Sequence, residues 1–465
     1  MPEKEFERQH KKTSKLPNLK IDEDVRIEAI HVPEGSIFKG YAEYTVQELI
    51  SKVHVTKYYL AQWQTPEGSY FTANLPKEMQ GWHFGPGLRQ YIFYQHHFNR
   101  VTQGKIHKDL AEKGIAISRG EIDRILIKTA KSLEQEKKDI LKAGIATAEV
   151  LQTDDTGNRK MGKNVFSTII CNDLFAYFHT SDKKNRINFL EILRGENTSY
   201  VITKESIEYA KKQKMSEIAI SLLTSHIGTT FPDNKLFKSF LKEYKFTQDN
   251  DIKTVTEAAL IGTLIVQGIP NDIVILSDDA GQFNLFDHAL CWIHAERHIR
   301  KIIPINESDR IEIDHVRDLI WKYYEELKAY KINPTPGQKE LLLQKFEEIF
   351  TVKVVCHPLQ KALSSIYKNK KELLVVLDKP FTPLHNNTSE QNIRDLVIKR
   401  KVSGGSQSDA GSTARDIANS LIQTCYKLQV SFWQFLMDRI SMRGQIPYLP
   451  KIIREKANRP VASPS

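Results

Sequence analysis

The chain has 465 residues, of which 40% are hydrophobic and 27% charged, as in ordinary soluble globular proteins. This length allows two or three domains with substantial cores, and the net charge of +10 favours acidic partners such as nucleic acid. The first residues are charged, and no apolar run approaches the roughly 20 residues that span a bilayer. We therefore expect neither a secretory signal nor a membrane protein.

The excess of positive charge is uneven along the chain. Residues 391–465 hold 12 Lys and Arg against 5 Asp and Glu, which fits a solvated basic surface and a nucleic-acid-binding surface equally well. The chain has four cysteines, namely Cys171, Cys291, Cys356 and Cys425. They are too widely spaced to predict a disulfide framework or a CxxC zinc site. We expect a protein of the reducing cytoplasm.

The N-terminal part of the chain changes character at about residue 25. Residues 1–20 are Lys-rich and indicate an arm, whereas residues 25–75 contain short β-like runs separated by PEGS and TPEG turns. The runs are VRIEAIHV, KVHVTKYYLAQW and SYFTANL. Residues 1–80 are thus predicted to form an arm and a small β-rich module.

Residues 84–147 show helical periodicity. Ser118 and Glu121 have the spacing of a capping box, which predicts a helix start at Ser118. Two short helices joined at Gly114 fit a helix-turn-helix that binds DNA, and they also fit a plain hairpin in a helical bundle. The basic residues of the second helix are Arg119, Arg124, Lys128 and Lys131.

Residues 148–440 begin with a strand, AEVLQTDD, and two more, NVFSTIICN and LFAYFHTS, joined by a turn at Asn172–Asp173. DIVILSDDA predicts a further buried strand. LFDHALCWIHAERHIRKII, SEQNIRDLVIKRK and ARDIANSLIQTCYKLQVSFWQFLMDRI each predict one helix, and helical inserts are expected at about 197–270 and 303–375. A basic, Pro-containing tail occupies residues 441–465. The fold class predicted is α/β (α+β overall), in the element order of a ribonuclease-H-like core with helical insertions.

Acidic residues follow the predicted strands at places where a catalytic site could form. Asp154 and Asp155 are expected to end the first strand, Asp278 follows the apolar strand, and Glu390 begins a helix. Carboxylates at the ends of neighbouring strands meet at one edge of an α/β sheet, and Mg²⁺ prefers such oxygen ligands. Phosphodiester chemistry by two metal ions needs this arrangement. Strand-end aspartates that merely cap turns are the alternative.

Four motifs, in order, resemble the insertion sequence 66 family of transposases. They are VLQTDDTG, ILSDDAGQF followed by CWIHAERHIRK, PLHNNTSEQNIRDLVIKRKVSGG, and an upstream helical segment from HFGPGLRQYIFYQHHFNRVTQ to AISRGEIDRIL. The resemblance runs from about residue 50 to residue 436. It implies a ribonuclease-H-like domain with a DDE triad, accessory proteins encoded beside the transposase, and DNA as substrate.

The resemblance assigns the three acids residue by residue. The family's first acid lies in an Asp–acid–Thr step, which matches Asp154; the second precedes a Cys-Trp-x-His segment, which matches Asp278. The third lies in Asn-Asn-x-x-Glu-x-x-x-Arg, which matches Glu390 with Arg394. These three acids are predicted to be the catalytic residues and the ligands of Mg²⁺, with Mn²⁺ as a substitute.

Neighbouring residues of a strand point to opposite faces, so Asp155 cannot reach the same metal as Asp154. We expect Asp155 to cap the turn at Thr156–Gly157 or to support the ligands, and Asn387 to support them as well.

Two departures from the family pattern are visible. KYYLAQWQTPEGSYFTANLP lacks the cysteines of a zinc element, so no zinc is predicted, and Asp154 lies 124 residues before Asp278, which indicates an added helical subdomain.

Further residues are predicted to contact DNA. Cys291, His294 and His298 share a helical face but are too few to predict zinc, so His294 and Arg297 are expected near the DNA backbone or beside the acids. Arg394 would orient Glu390 or contact a phosphate, and the loop Gly404–Gly405 either approaches a phosphate or forms a turn. The predicted DNA-binding set is Arg119, Arg124, Lys128, His294, Arg297, Arg394, Lys399 and Lys401.

Together these features predict a DDE transposase that binds terminal inverted repeats, cleaves at the element ends and transfers 3′-hydroxyl strands to target DNA. Paired ends imply at least a homodimer in the active complex, associated with the nucleoid. Two alternatives remain: a transposase-derived DNA-binding regulator without catalysis, and a ribonuclease-H-like DNA nuclease that cuts without joining.

Overall fold

A computed structural model describes residues 21–42 and 44–458. In this part of the chain the strands are β1 (Gln62–Gln64), β2 (Tyr70–Thr72), β3 (Val150–Lys160), β4 (Lys163–Cys171), β5 (Ala176–Ser181), β6 (Tyr200–Val201), β7 (Thr230–Phe231), β8 (Val274–Ser277) and β9 (Asp287–Leu290). The helices of the first half are α1 (Pro86–His97), α2 (Gln103–Glu112), α3 (Arg119–Ser132), α4 (Glu134–Ala146), α5 (Arg186–Arg194), α6 (Lys204–Lys212), α7 (Glu217–Ser225), α8 (Asn234–Glu243) and α9 (Asp249–Val266).

The helices of the second half are α10 (Trp292–Arg300), α11 (Glu307–Ile332), α12 (Pro336–Phe350), α13 (His357–Lys368), α14 (Lys370–Leu373), α15 (Val375–Asp378), α16 (Asn387–Ser403), α17 (Asp409–Leu428), α18 (Phe432–Ile440) and α19 (Leu449–Ala457). Among the described residues, no helix combines the length and apolar character needed to cross a membrane. The mixture of helices with one five-stranded sheet confirms the α+β composition.

The central sheet has the strand order β5-β4-β3-β8-β9. β3, β4 and β5 form an antiparallel meander, whereas β8 and β9 run parallel to β3. The predicted turn between β4 and β5 is confirmed, because the Asn172 side chain accepts hydrogen bonds from the backbone N–H groups of Leu174 (2.8 Å) and Phe175 (3.2 Å). Such a side-chain–backbone turn is typical of Asn.

Both faces of the sheet are covered, as expected of a sheet with parallel strands. Because successive strand residues point to opposite faces, Ile275 of β8 joins the main core while Val274 and Leu276 pack on the other face beside α15. On that second face α16 also packs, through Ile393 and Leu396 against β4 and β5. The main core on the first face combines α1–α5, α9 and α17 with the sheet.

Helix α17 closes the outer edge of the sheet. Three of its side chains, four residues apart, accept hydrogen bonds from backbone N–H groups that lie two residues apart on β5. The spacings match, since four helical residues rise about 6 Å and two strand residues about 6.6 Å. The donor–acceptor pairs are Thr180–Asp416 (2.7 Å), Phe178–Ser420 (2.9 Å) and Ala176–Thr424 (3.1 Å). This edge is therefore not free to pair with another strand.

The helices before the sheet form one compact unit with it, from Thr56 onward. Ser118 is confirmed as the N-cap of α3, because its hydroxyl accepts from the Glu121 N–H (3.1 Å). The tail after residue 440 is not wholly irregular: α19 packs against α4, with Leu449 and Ile453 fully buried. The predicted insert at 197–270 is mainly helical, with the small β6–β7 sheet added.

The N-terminal unit, residues 1–55, contains no strand among its described residues 21–42 and 44–55. The predicted strand VRIEAIHV is therefore wrong, and the predicted arm at 1–20 lies outside the described residues. The two later runs form only the short hairpin β1–β2, which belongs to the larger unit. Its TPEG turn is confirmed by a hydrogen bond from the Gly68 N–H to the Thr65 carbonyl (2.9 Å).

Three other predictions of element boundaries are wrong. β3 does not end at Asp155 but continues to Lys160, because β4 pairs with it over that whole length. LFDHALCWIHAERHIRKII is not one helix, since residues 287–290 form β9 beside β8 before α10 begins. The helix predicted for 414–440 is divided at Gln429, which has φ 59° and separates α17 from α18.

Candidate active site at one edge of the central sheet

Asp154 and Asp278 lie at the same level of two neighbouring parallel strands. The last residue pair between β3 and β8 joins Gln152 to Leu276, and each aspartate lies two residues beyond that pair. β8 ends at Ser277, whereas β3 continues outward alongside β4. The two carboxylates therefore share one edge of the β3–β8 pair, although Asp154 is inside a strand rather than at its end.

Glu390 reaches this edge from the first turn of α16. The residue before the helix, Asn386, is fully buried, and its side-chain amide donates a hydrogen bond to the Thr153 carbonyl (2.8 Å). Its backbone N–H lies 3.3 Å from the Cys291 sulfur. These contacts attach the start of α16 to β3, at the residue next to Asp154, and to the start of α10.

The pairing of β3 with β4 determines the face that each aspartate occupies. Asp154 pairs with Ile169, which packs against α16, so Asp154 faces the helix that carries Glu390. Asp155 pairs with Thr168 and points to the opposite face. The interpretation of Asp155 as a turn cap is wrong, because Thr156 and Gly157 belong to β3.

The carboxylate of Asp155 is held by donors on that opposite face. It accepts hydrogen bonds from the Thr168 hydroxyl and from the Gln282 amide (2.8 Å), and the Lys184 ammonium lies 4.0 Å away. Burial raises the pKa of Asp155, while these hydrogen bonds act in the lowering direction. Asp155 thus connects β3 to the segment that follows Asp278, which contains Gln282.

The electrostatics of Asp154 reflect the crowding of acids. Burial first, and then the negative charge of Asp278, raise the pKa of Asp154 to about 7, with smaller contributions from Asp155 and Glu390. The Asp155 N–H donates to its carboxylate (2.7 Å) and opposes this shift. Like charges that share a site without a cationic partner disfavour ionisation in this way.

The Glu390 carboxylate lacks strong partners. Its Oε1 atom is buried without a hydrogen bond, and the nearest ring nitrogen is His294 Nε2 at 3.5 Å. Burial first, and then the charge of Arg297, lower the pKa of His294. Within the described residues, no group of three His, Cys, Asp or Glu side chains is arranged to hold a metal ion. The carboxylates of Asp154, Asp278 and Glu390 nevertheless offer oxygen atoms of the kind that bind Mg²⁺. One of these atoms, Glu390 Oε1, has no hydrogen-bond partner.

Predicted basic residues on α16 occupy different environments. Arg394 and Lys401 are exposed, whereas Lys399 is buried and donates to the His96 carbonyl (2.8 Å). A direct phosphate contact would require Lys399 to leave this position. Asn387 is exposed, and the neighbouring Asn386 makes the structural contacts instead.

The glycine loop after α16 is attached to the β3–β4 hairpin. Ser406 exchanges backbone hydrogen bonds with Arg159 (3.0 Å) and Met161 (2.9 Å). Gly405 has φ 112°, and a Cβ atom there would collide with the Arg159 carbonyl. The close approach of two backbones explains this glycine without a phosphate.

The helical region before the sheet presents its predicted basic residues at the surface. Six residues separate α2 from α3, which is longer than the usual three- or four-residue turn of a helix-turn-helix. Arg119, Arg124 and Lys128 are exposed. The guanidinium of Arg124 pairs with Glu121 (2.6 Å) and, like the Lys128 ammonium (4.3 Å from the ring centroid), lies over the Trp82 ring.

Sequence reasoning missed two residues that organise this site. Asn386 is the first residue of the Asn-Asn-x-x-Glu motif, so this motif is the sequence signal that could have identified it. Gln282 lies four residues after Asp278 in AGQF, and only the folded chain brings it to Asp155.

Comparison with known proteins identifies the family to which this chain belongs. The family model "Transposase IS66 family" matches residues 81–206 and 270–414, more than half of the chain. The protein is therefore a member of the IS66 family of transposases, as the motifs predicted. This class implies DNA as the partner.

A similar protein is the "Uncharacterized protein y4jO" of Sinorhizobium fredii (strain NBRC 101917 / NGR234). It is 36% identical over 321 residues, which cover 68% of this chain and the whole of that protein. Residues 207–269, which contain most of the helical insert, lie outside the family match.

Proposed function

We propose that this protein is a DDE transposase that binds the terminal inverted repeats of its element, cleaves DNA at the ends and joins the 3′-hydroxyl strands to target DNA. The observation that carries the proposal is the common location of three acids: Asp154 and Asp278 at equal levels of β3 and β8, and Glu390 on the helix that Asn386 attaches to β3. Family membership supplies the reaction class.

The sheet order supports a ribonuclease-H-like core. A three-stranded meander, β3-β4-β5, is extended by two strands parallel to its first member. Helix α16 then follows late in the chain and packs on the face that Asp154 occupies. This arrangement has the element order predicted for such a core.

Asp154, Asp278 and Glu390 would hold Mg²⁺ or Mn²⁺. The fit rests on their oxygen donors, on the buried Glu390 oxygen without a partner, and on the raised pKa of Asp154. A pair of bound ions supplies an activated nucleophilic oxygen and a stabilised leaving oxygen.

The chain's own residues prepare the site for DNA. With a pKa of about 7, Asp154 is only partly ionised near neutral pH, and nearby positive charge would favour its ionised form. The His294 ring, 3.5 Å from Glu390, would help to orient that carboxylate. Asp155 keeps β3 attached to Gln282 through a hydrogen bond.

DNA contacts are proposed on two surfaces. The exposed basic residues of α3, namely Arg119, Arg124 and Lys128, would contact the element ends. Arg297, Arg394 and Lys401 would contact the backbone near the acids. Two ends must be joined together, so the active complex would contain at least two copies of the chain.

The test is a matched pair of substitutions in adjacent aspartates. Asp278→Asn should abolish end cleavage and joining in Mg²⁺, while Asp279→Asn, at an exposed position, should leave both nearly unchanged. Gel-shift binding to a cognate end should survive in both. Binding without any cleavage by the unsubstituted protein would instead favour a DNA-binding regulator, and cleavage without joining would favour a nuclease.

A further inference from the structure

Residues 281–283, which follow Asp278, contact α5 and β3 at three points. The Arg186 guanidinium donates to the Gly281 carbonyl (2.6 Å), and the Gln282 amide donates to Asp155 (2.8 Å). The buried ring of Phe283 packs edge-on against Phe189, with centroids 5.0 Å apart. Arg186 and Phe189 are three residues apart on α5, so one face of this helix contacts the segment twice.

Arg186 is in turn fixed by two residues of the helical insert. Its guanidinium donates to the Tyr209 hydroxyl of α6 (2.9 Å) and lies 3.5 Å from the Glu257 carboxylate of α9. Tyr209 also donates to Glu257 (2.6 Å), which closes the cluster. A continuous set of contacts therefore runs from the insert through Arg186 to the backbone three residues after Asp278.

Glu257 is 98% buried and retains one oxygen without a hydrogen bond. Removing a carboxylate and a guanidinium from water is costly, and a buried ion pair often contributes no net stability compared with apolar residues. Stability alone is thus a poor explanation for this cluster. The cluster holds the Arg186 guanidinium so that it donates to the Gly281 carbonyl. A role in fixing the position of the segment after Asp278 explains this geometry better.

We propose that Arg186 is a positioning residue for Asp278, and that the insert fixes Arg186 through Tyr209 and Glu257. This inference rests on the proposed role of Asp278 as one of three catalytic acids. Arg186 and Gly281 lie inside the family match, whereas Tyr209 and Glu257 lie outside it. The insert, most of which lies outside the family match, thereby stabilises the position of a segment that lies inside it.

The test uses the full chain, and its first readout is hydrogen exchange without metal. The Ala280 N–H, which is bonded to the Asp278 carboxylate (3.1 Å), reports on the segment directly. The variants are Arg186→Ala, Arg186→Lys and Tyr209→Phe, which removes a single hydroxyl. Arg194→Ala is the matched control, because Arg194 lies on the same helix and binds the insert at the Ser199 carbonyl (3.0 Å).

We expect exchange in residues 278–283 to accelerate several-fold in Arg186→Ala, less in Tyr209→Phe and Arg186→Lys, and not in Arg194→Ala. The second readout is end cleavage in Mg²⁺. There kcat should fall roughly 10–100-fold in Arg186→Ala, as for residues that orient metal ligands, with KM for DNA unchanged and partial recovery in Arg186→Lys.

Unchanged exchange in Arg186→Ala, or equal acceleration in Arg194→Ala, would overturn the positioning role. A loss confined to KM would overturn it as well, because a misplaced acid lowers kcat. If the unsubstituted protein does not cleave DNA, the proposed function fails instead, and the exchange data alone then decide whether Arg186 places the segment.

Discussion

Asn386 donates a hydrogen bond from its buried side-chain amide to the carbonyl of Thr153, over 2.8 Å. This contact joins the residue before α16 to the residue before Asp154, although the two are 233 positions apart in the chain. This amide, together with the packing of Ile393 and Leu396 on the sheet, places the first and third acids relative to each other.

Replacing Asn386 with Ala should separate the start of α16 from β3. Loss of this buried hydrogen bond should cost about 1–3 kcal/mol of unfolding free energy and reduce end cleavage at least tenfold. Urea unfolding and a cleavage assay measure the two effects. The exposed neighbour provides the control, since Asn387→Ala should change neither. Greater damage from Asn387→Ala would contradict this assignment.

Asp154 and Asp155 are adjacent but face opposite sides of the sheet, which predicts different consequences for the same substitution. Asp154→Asn should lose cleavage and joining by several orders of magnitude and keep DNA binding. Asp155→Asn should lose roughly 10–100-fold, because it supports the neighbouring segment through Gln282 rather than the metal. End-cleavage and gel-shift assays on both variants provide the comparison.

The reverse pattern, with Asp155→Asn inactive and Asp154→Asn active, would place the ligand one residue further along β3. Normal cleavage by both variants would refute the proposed chemistry.

The elements that carry two of the acids could be predicted because their sequences are unambiguous. VLQT and VILS are short runs directly before the acids, and local pattern is sufficient to predict a strand at each, although β3 continues past its acids. β9 was missed because FDHALCWIHA has apolar residues at helical spacing, and only pairing with β8 makes its first part a strand. Tertiary contact overrides local pattern at such places.

The parts of the site that could not be predicted depend on contacts distant in sequence. Nothing local in LVIKRKVS distinguishes buried Lys399 from exposed Lys401, since both are cations on one helix. Arg186 is likewise an ordinary helix-start arginine until α6 and α9 of the insert fold against it. Long-range packing, rather than residue type, determines these roles.

Metal should stabilise the folded protein, because a ligand that binds only the native state adds RT ln(1 + [L]/Kd), about 2.7 kcal/mol at 100 times Kd. Millimolar Mg²⁺ or Mn²⁺ is therefore expected to raise Tm in the unsubstituted protein and much less in Glu390→Gln. Differential scanning fluorimetry with and without chelator measures this. Equal shifts in both proteins would argue against a metal site at Glu390.

DNA binding should weaken steeply with salt, since each Lys– or Arg–phosphate contact adds about 0.9 to the log–log slope. Arg119→Ala and Lys401→Ala, at exposed positions, should each reduce that slope by about 0.9. Lys242→Ala, exposed on α8 of the insert, is the control and should leave it unchanged. Fluorescence anisotropy from 50 to 200 mM salt would test this, and an unchanged slope in Arg119→Ala would remove α3 from the DNA interface.

Lys399 is placed where its charge is disfavoured. Its ammonium is buried between the His96 carbonyl and the His97 ring (3.1 Å to Nδ1). Burial first, and then the positive charges of Arg415 and Arg100, lower the pKa of Lys399 from 10.5 to about 7. Burial first, and then the charge of Lys399, lower the pKa of both histidines.

Stability should therefore depend on pH through Lys399. Between pH 7 and pH 10.5 the unfolded chain holds a proton on this amine that the folded protein has released, so the free energy of unfolding rises with pH, by up to about 1.4 kcal/mol per unit. Lys399→Met removes this contribution. Urea unfolding at pH 7.5, 8.5 and 9.5 should show the unsubstituted protein gaining stability relative to Lys399→Met at each step. Parallel pH profiles would mean that Lys399 stays charged in the fold and that its ammonium reaches solvent, where a phosphate could also reach it.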